Sequence, residues 1–374
     1  MTELDRGLLR KLAEWDAASS PITSLYLTVD GRRFPRRADY EVRLDELLRH
    51  AKAQGNESDR DAARSVERDV AAMSEFVREE LDRADTRGLA MFSSSAAGLW
   101  EVVLISRPVR DRVVVAPQPD LVPLEALLET YRPSCAVLVD YEKARLFVAE
   151  LGRIEEVTDV WDEVPGRHEK GGWAQMRMQR HVDDHRARHL KHVADALFSL
   201  WQRRPFEQLA LAGPAEAQRD IEAYLHDYLR QRVRATFMLP MTATTADVLA
   251  RVLEMEEQVE RERERAAVER VKAASGASDH GVAGLEDTLE ALSAGRVGEL
   301  VVSFELSSPG AACESCGRLT TRKGTCPSCG EPTQAVPDVV EAAVTMAVRN
   351  GSRVEVVLDA GLEELGGIGA LLRF

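Results

Sequence analysis

The chain has 374 residues, of which 44% are hydrophobic and 5% aromatic. At about 100 to 200 residues per domain this length predicts two or three domains. No run of about 18 apolar residues and no charged-then-apolar leader is present, which predicts a cytoplasmic protein without a membrane span. The formal net charge of -14 argues against a protein that coats DNA or RNA with its whole surface, but it is compatible with a local basic site.

A first α/β unit is predicted over residues 1–120. Apolar or alternating runs predict four strands, at residues 22–29, 88–92, 99–105 and 112–115. A charged stretch with helical spacing of its apolar residues, 40–84, lies among them. The loop after the first strand holds four arginines, for which a solvated loop and a contact with RNA are both open: Arg32, Arg33, Arg36 and Arg37. Three prolines within residues 116–124 disfavour helix and strand there and predict a boundary.

A second unit is predicted over residues 121–275. A hairpin at 135–149 and a strand at 154–160 are followed by a polar loop at 164–172 and a long helix at 174–203. A strand at 209–212, a helix at 216–232 and a strand at 235–239 complete a βαβ pattern, which favours a sheet packed on helices.

The second unit ends with a helix predicted at residues 245–272. Residues 254–270 alone hold seven acids and four arginines. Such a run predicts a solvated helix face, with binding of a partner as the alternative.

A third unit is predicted over residues 276–374, after a small and polar boundary segment. It comprises a helix at 285–294, a strand at 297–304, a helix at 338–350 and a strand at 353–358. A cysteine-containing segment, 310–335, lies between the first strand and the second helix. It is therefore predicted to be an insertion in a compact α/β domain.

Four cysteines in this insertion predict a metal site. They form two Cys-x-x-Cys-Gly pentapeptides separated by nine residues, and they are Cys313, Cys316, Cys326 and Cys329. Four thiolates suit Zn²⁺ and leave no open position for a substrate, so the pattern predicts a structural zinc ribbon. A redox pair and an iron-sulfur cluster are the alternatives. The fifth cysteine, Cys135, lies in an apolar strand and is interpreted as a buried, inert thiol.

Residues 166–192 form a basic segment, with seven Lys or Arg against three acids. Arg177 and four histidines (His181, His185, His189, His192) recur at helical spacing, which predicts an outward basic face beside an apolar stripe. Three interpretations are open: a solvated helix face, a histidine metal site and a contact with RNA. The metal site lacks the Glu of a His-Glu-x-x-His motif. The Gly171-Gly172 pair favours RNA, because glycines let a backbone approach a partner closely.

Several of these segments together resemble a known family. The loop and helix at 166–192 resemble the Gly-Gly-Gln loop and basic helix of archaeal and eukaryotic class-I peptide-release factors. The ending LGGIGALLRF at 365–374 and ALSAGRV at 291–297 are similar to their third domain, and SLYL at 24–27 is similar to their first strand. The chain is thus identified as a member of the bacterial branch of the release-factor and Pelota superfamily, most like the Balon-type ribosome hibernation factors.

This resemblance implies three α/β domains of release-factor type: an N domain, a middle domain with the Gly-Gly loop and long basic helix, and a C-terminal L7Ae-like domain. A zinc ribbon is inserted in the third domain of archaeal members. The family shape mimics transfer RNA, with the N domain towards the decoding centre and the middle loop towards the peptidyl-transferase centre. Two departures matter. Trp173 stands where release factors have Gln, with Gln175 two positions later, and no Asn-Ile-Lys-Ser element for stop codons is present.

The resemblance and its departures lead to a functional expectation. The chain is expected to be a non-catalytic hibernation factor of the stress response that fills the vacant A site of idle 70S ribosomes, with elongation factor Tu as a candidate partner. The residues expected to contact 16S and 23S rRNA are the four arginines of the first loop and Arg167, His168, Lys170, Gly171, Gly172, Trp173, Gln175, Arg177, Arg180 and His181. The alternative is a peptidyl-tRNA hydrolase or ribosome rescue factor that uses Gln175.

Overall fold

The computed structural model describes residues 4–15, 20–56, 60–83, 86–130, 132–161, 173–277, 280–358 and 361–373. Within these ranges the chain forms three α/β units in chain order, as expected. The cysteine segment forms a small sheet of its own inside the third unit.

The N-terminal unit is a four-stranded antiparallel sheet covered by helices on both faces. Its elements are α1 (Arg6–Ala13), β1 (Ile22–Thr28), α2 (Arg37–Asn56), α3 (Arg60–Glu75), a π-helical turn (Phe76–Glu80), β2 (Gly88–Ser94), β3 (Leu99–Ile105), β4 (Arg112–Ala116) and α4 (Val122–Thr130). The strand order is β3-β2-β1-β4. Apolar residues of α2 and α3 pack on one face and those of α1 and α4 on the other, so every residue of β1 is buried.

The four strands predicted in this unit are confirmed, but α4 was not expected. A helix was disfavoured at residues 116–124, whereas α4 begins at Val122 with Pro123 in its first turn. A proline is tolerated there because the first backbone N–H groups of a helix have no partner within it.

The middle unit is a mixed five-stranded sheet of order β7-β6-β5-β8-β9. Its elements are β5 (Ser134–Val139), β6 (Lys143–Glu150), β7 (Arg153–Trp161), α5 (Trp173–Arg203), β8 (Gln208–Ala212), α6 (Ala215–Glu222), α7 (Asp227–Arg230), β9 (Val233–Phe237) and α8 (Thr245–Ala277). Strands β5, β8 and β9 run parallel, and the hairpin strands β6 and β7 extend the sheet antiparallel. Helices α5 and α6 cover one face, and the first half of α8 covers the other.

The prediction of one continuous helix over residues 216–232 is wrong. Helix α6 ends at Glu222, and a separate single turn, α7, begins after His226. The ring of His226 caps this turn, because its Nδ1 accepts a hydrogen bond from the N–H of Tyr228 at 3.3 Å. The cap satisfies a backbone donor that a continuous helix would have bonded internally.

The third unit contains β10 (Gly281–Ala283), α9 (Leu285–Ser293), β11 (Val297–Ser303), β12 (Gly310–Ala312), β13 (Leu319–Thr320), β14 (Gln334–Val336), α10 (Val339–Arg349), β15 (Arg353–Val357), a 3₁₀ turn (Leu362–Leu365) and β16 (Ile368–Leu372). Its main sheet has the order β10-β16-β11-β15, and the inserted sheet has the order β13-β12-β14. Helices α9 and α10 pack on one face of the main sheet.

Helix α8 spans two units. Near its start, Val248 and Val252 belong to the core of the middle unit, whereas near its end Val268 and Val271 pack on the sheet of the third unit. With 33 residues at about 1.5 Å each, the helix is about 50 Å long, enough to reach both. The predicted boundary at residue 275 therefore falls within a helix that both units share.

The prediction of a solvated acidic face is wrong for one side of α8. Glu256 is 6% exposed and accepts a hydrogen bond from the hydroxyl of Ser134 at 2.6 Å. Glu264 is 4% exposed and accepts one from the backbone N–H of Leu358 at 3.1 Å. Buried carboxylates need such partners, because desolvation of an unpaired charge is costly. This side of α8 is internal.

None of the helices within the described ranges has the length and apolar character that a membrane crossing requires.

Candidate metal centre and basic surfaces

Two turns of the same geometry bring the four cysteines together. In the first, the N–H of Gly317 donates to the carbonyl of Cys313 at 2.7 Å, and the N–H of Cys313 donates to the carbonyl of Arg318 at 2.9 Å. Cys326 makes the equivalent two bonds in the second turn, with Gly330 and Glu331, at 2.9 and 2.7 Å. Each turn closes on a glycine with positive φ, +74° at Gly317 and +80° at Gly330, which a residue with a Cβ adopts only with strain.

The four sulfurs lie at distances that suit a tetrahedral metal ion. All four are within 4.8 Å of one another, and the Cys313–Cys329 and Cys316–Cys326 pairs are 3.5 Å apart. A zinc ion with Zn–S bonds of about 2.3 Å would hold its sulfurs about 3.8 Å apart. The backbone N–H groups of Cys329 and Ser328 lower the pKa of Cys326 to about 6, whereas hydrogen bonds with neighbouring thiols raise the pKa values of Cys316 and Cys329. The four cysteines can therefore hold a metal ion.

The predicted alternative of a histidine metal site gains no support from the part of the chain that the structure describes. There, the four cysteines are the one group of three or more metal-ligating side chains that converge. The expected outward row of histidines is also wrong at His189, which is fully buried beside Leu190 and Val193 on the inner side of α5. Cys135 is buried as expected, and burial raises the pKa of its thiol.

The basic loop lies mostly outside the described residues. Arg167, His168, Lys170, Gly171 and Gly172 fall there, whereas Trp173, Gln175, Arg177, Arg180 and His181 lie on described backbone. That backbone is helical from Trp173 onward. Gln175 therefore lies in the first turn of α5 and not in the preceding loop.

The four arginines of the first loop differ in their surroundings. Arg32 forms an ion pair with Glu257 of α8. Arg33 lies 3.3 Å from the carboxylate of Glu305, donates to the carbonyl of Leu358, and has its guanidinium 4.8 Å from the ring centre of Phe304. Both arginines therefore hold the N-terminal unit to other units.

Among the described residues, the partners found for the remaining two arginines of the loop lie in their own unit. Arg37 pairs with Glu41 on the same helix at 2.7 Å, and Arg36 is exposed. They are placed to bind an external anion without breaking a contact between units.

Three further arginines in and before β4 extend this arrangement. Arg107 pairs with Glu260 of α8 at 3.4 Å, and Arg110 donates to the carbonyls of Ser303 and Leu306 at 2.9 and 2.6 Å. Arg110 and Arg112 both pair with Glu341 of α10.

We refer to Arg32, Arg33, Arg107, Arg110 and Arg112 with their acidic partners as the arginine junction. It surrounds a cavity of about 740 Å³ where the three units meet.

Sequence reasoning missed the arginine junction. A signal was available: α8 carries an excess of acids, and the N-terminal unit has arginines clustered at residues 107–112.

Partial burial would raise the pKa of Glu257, but its hydrogen bond and charge interaction with Arg32 outweigh that effect, so that its pKa is lowered. Glu257 is thus held in its charged form by the contact.

Comparisons with known proteins agree with the resemblance drawn from the sequence. Residues 119–257 match the model of bacterial archaeo-eukaryotic release factor family 10. Peptide chain release factor subunit 1 of Methanocaldococcus jannaschii is 25% identical over 99% of this chain and 97% of its own length. YocB of Bacillus subtilis, an uncharacterized protein, is 21% identical over 58% of this chain and 86% of its own. The crystal structure of Archaeoglobus fulgidus Pelota covers 79% of this chain and 81% of its own, at 18% identity and a TM-score of 0.39.

The ion pair between Arg32 and Glu257 should limit how readily a protease cleaves the first loop at Arg32. Glu257→Gln should increase the rate of trypsin cleavage after Arg32 several-fold, because a neutral amide holds the guanidinium less strongly. The matched control is Glu254→Gln, one turn earlier, whose carboxylate pairs with Arg251 on its own helix and should leave the rate unchanged. Cleavage is followed by mass spectrometry under native conditions. Equal rates for both variants and the parent would contradict the role assigned to Glu257.

Proposed function

We propose that this chain belongs to the release-factor and Pelota superfamily, binds the 70S ribosome and fills the vacant A site of idle particles without releasing a peptide. One observation carries the proposal. Trp173 directly follows Gly171-Gly172 and opens α5, and the nearest glutamine, Gln175, lies inside the first helical turn.

The chemistry of peptide release explains why this position matters. Hydrolysis of the peptidyl ester requires a water placed beside the carbonyl, and positioning is the main contribution to such catalysis. Release factors place a glutamine amide after the two glycines. An indole offers a single N–H donor on a bulky ring. A chain that keeps the family fold but has Trp173 at this position is suited to occupying the A site and not to hydrolysing the peptidyl ester.

The basic segment at residues 166–192 supports a contact with 23S rRNA. Its Lys and Arg side chains suit phosphate oxygens, and Trp173 or the imidazoles suit stacking on unpaired bases. The family orientation would place Arg167, His168, Lys170, Gly171, Gly172, Trp173, Gln175, Arg177, Arg180 and His181 at the peptidyl-transferase centre.

At the decoding end, the four arginines of the first loop would face 16S rRNA. Arg36 is exposed and can do so directly, whereas Arg37 would exchange its ion pair with Glu41 for one with a phosphate. Arg32 and Arg33 would first exchange Glu257 and Glu305 for phosphates. Binding would then open part of the arginine junction.

The biological role that we propose for this ribosome binding is that of a hibernation factor of the stress response, which acts in the cytoplasm and is similar to Balon. Elongation factor Tu is proposed as a partner by the same resemblance. The second candidate function is a peptidyl-tRNA hydrolase or rescue factor, and the observation in its favour is that Gln175 lies only two positions from Trp173.

Ribosome binding should be salt-dependent. The chain should co-sediment with vacant 70S particles at low salt and dissociate steeply as salt rises, because each neutralised phosphate releases counterions. The double change Arg167→Glu and Lys170→Glu should weaken binding by about tenfold or more. Arg251→Glu, an exposed arginine of α8, is the control and should change it little. A chain that stays in the supernatant at low salt would refute the proposal.

Peptide release separates the two candidate functions. Ribosomes carrying labelled peptidyl-tRNA should free no more peptide with saturating protein than with buffer alone. An authentic release factor on a stop-codon complex serves as the positive control. Release that Gln175→Ala abolishes would instead establish the hydrolase.

We further propose that the four-cysteine site holds Zn²⁺ in a structural role. Four thiolates complete a tetrahedral shell, so no position is left for a substrate or water. The inserted sheet has strands of only two or three residues, and the metal would supply much of its folding energy.

Zinc content provides the test. The purified chain should contain one zinc per molecule by elemental analysis, and Cys316→Ser should lose it and become sensitive to proteases within residues 310–335. Cys135→Ala, which removes a thiol far from the insertion in sequence, should retain the metal. Loss of zinc without a change in protease cleavage would contradict the structural role.

A further inference from the structure

The far end of α5 carries a group of stacked aromatic rings to which no role has been assigned. Phe198 and Trp201 of α5 pack against the core of the middle unit. The ring of His226 stacks on Phe198 with centroids 4.4 Å apart, and Tyr228 stacks on Trp201 at 5.7 Å. His226 and Tyr228 also stack on each other at 5.0 Å and 13°. The four rings form two layers, which we call the aromatic platform.

The outer layer of the platform is open to solvent. Tyr228 is 54% exposed, and His226 is exposed as well. Large apolar side chains are normally withdrawn from water, and an exposed aromatic cluster commonly marks a contact surface. The platform is thus anchored on its inner side and exposed on its outer side.

Hydrogen bonds fix the ring of His226 and the backbone that carries Tyr228. Nδ1 of His226 is fixed by the N–H of Tyr228, and the carbonyl of Tyr228 accepts a bond from Arg232 at 2.7 Å. Arg232 also donates to the carbonyl of Phe206 at 3.0 Å, and its guanidinium lies 5.0 Å from the ring centre of Trp201. A platform that is already ordered loses little side-chain entropy when a flat ligand stacks on it.

The charge around the platform favours an anionic partner. Residues 201–207 and 222–234 contain five arginines and three acids, in a chain with a net charge of -14. Arg203, Arg230 and Arg234 are exposed, and Arg232 contacts the ring of Trp201, whereas Arg204, Arg230 and Arg232 also pair with Glu155, Asp227 and Glu207. Aromatic rings stack on unpaired bases while nearby arginines contact the backbone phosphates, which is how single-stranded nucleic acid is bound without strong sequence preference.

We propose that the aromatic platform binds unpaired bases of RNA, with Tyr228 and His226 as the stacking surface. The platform lies about 40 Å along α5 from Trp173, since 28 residues rise about 1.5 Å each. It is therefore a separate RNA contact, and it holds whether or not the basic loop binds the peptidyl-transferase centre.

The test uses the full chain with Arg167→Glu and Lys170→Glu, so that the basic loop contributes little. Binding of a fluorescent 12-nucleotide single-stranded RNA and of the corresponding 12-base-pair duplex is measured by anisotropy at low salt. The single strand should bind more tightly, because the bases of the duplex are not free to stack. Tyr228→Ala should weaken binding of the single strand by about tenfold, within the range found for loss of one base–aromatic stack.

Two matched variants define the result. Tyr228→Phe keeps the ring and should retain affinity within twofold, and Trp100→Ala removes an aromatic residue that is 43% exposed in the N-terminal unit and should also have little effect. Equal affinity of Tyr228→Ala and its parent would overturn the proposal, as would a loss in Tyr228→Phe as large as in Tyr228→Ala. If Tyr228→Ala weakened only co-sedimentation with ribosomes, the surface would contact protein and the RNA assignment would be wrong.

Discussion

The pairing of acids on α8 and α10 with arginines of the N-terminal unit is the interaction on which the relative placement of the three units depends. Isolated exposed ion pairs contribute only about 0 to 1 kcal/mol each. The pairs of the arginine junction differ in burial: Arg110 and Glu341 are only 12% and 16% exposed, and removal of one partner of such a pair leaves a costly desolvated charge. Because apolar residues fix α8 on two sheets, its carboxylates are held in place before the arginines meet them.

This arrangement gives the arginine loop a double role. Arg32 and Arg33 hold the units together in the structure, and they are also residues proposed to contact RNA. A polyanion can compete for them, since phosphates offer the same bidentate geometry as carboxylates. The contacts between units therefore set a free-energy cost for using these two arginines outside the chain, whereas the ion pair of Arg37 with Glu41 lies within its own unit.

Local sequence patterns predicted the strands of the first two units, two strands of the third, and the cysteine turns, because their signals are local: alternation over a few residues, or two Cys-x-x-Cys-Gly pentapeptides. The same reasoning failed where the deciding partner is distant in the chain. Arg32 and Glu257 are 225 residues apart, and neither neighbourhood indicates the other. His189 illustrates a second limit, because helical spacing placed it near the edge of the apolar stripe and only packing decides on which side it lies. The proposed rRNA-contacting residues stay predictions for a similar reason: their partner is not part of this chain.

Helix α10 links the cysteine insertion to the arginine junction. Val339 and Val340 pack with Leu319 of the inserted sheet in one core, and the next residue along the helix, Glu341, pairs with Arg110 and Arg112. Gly310 lies so close to this helix that a Cβ at that position would be 2.5 Å from the Cβ of Val339. The inserted sheet and the arginine junction thus share one helix, so a displacement of α10 at the insertion would also move Glu341 relative to Arg110 and Arg112.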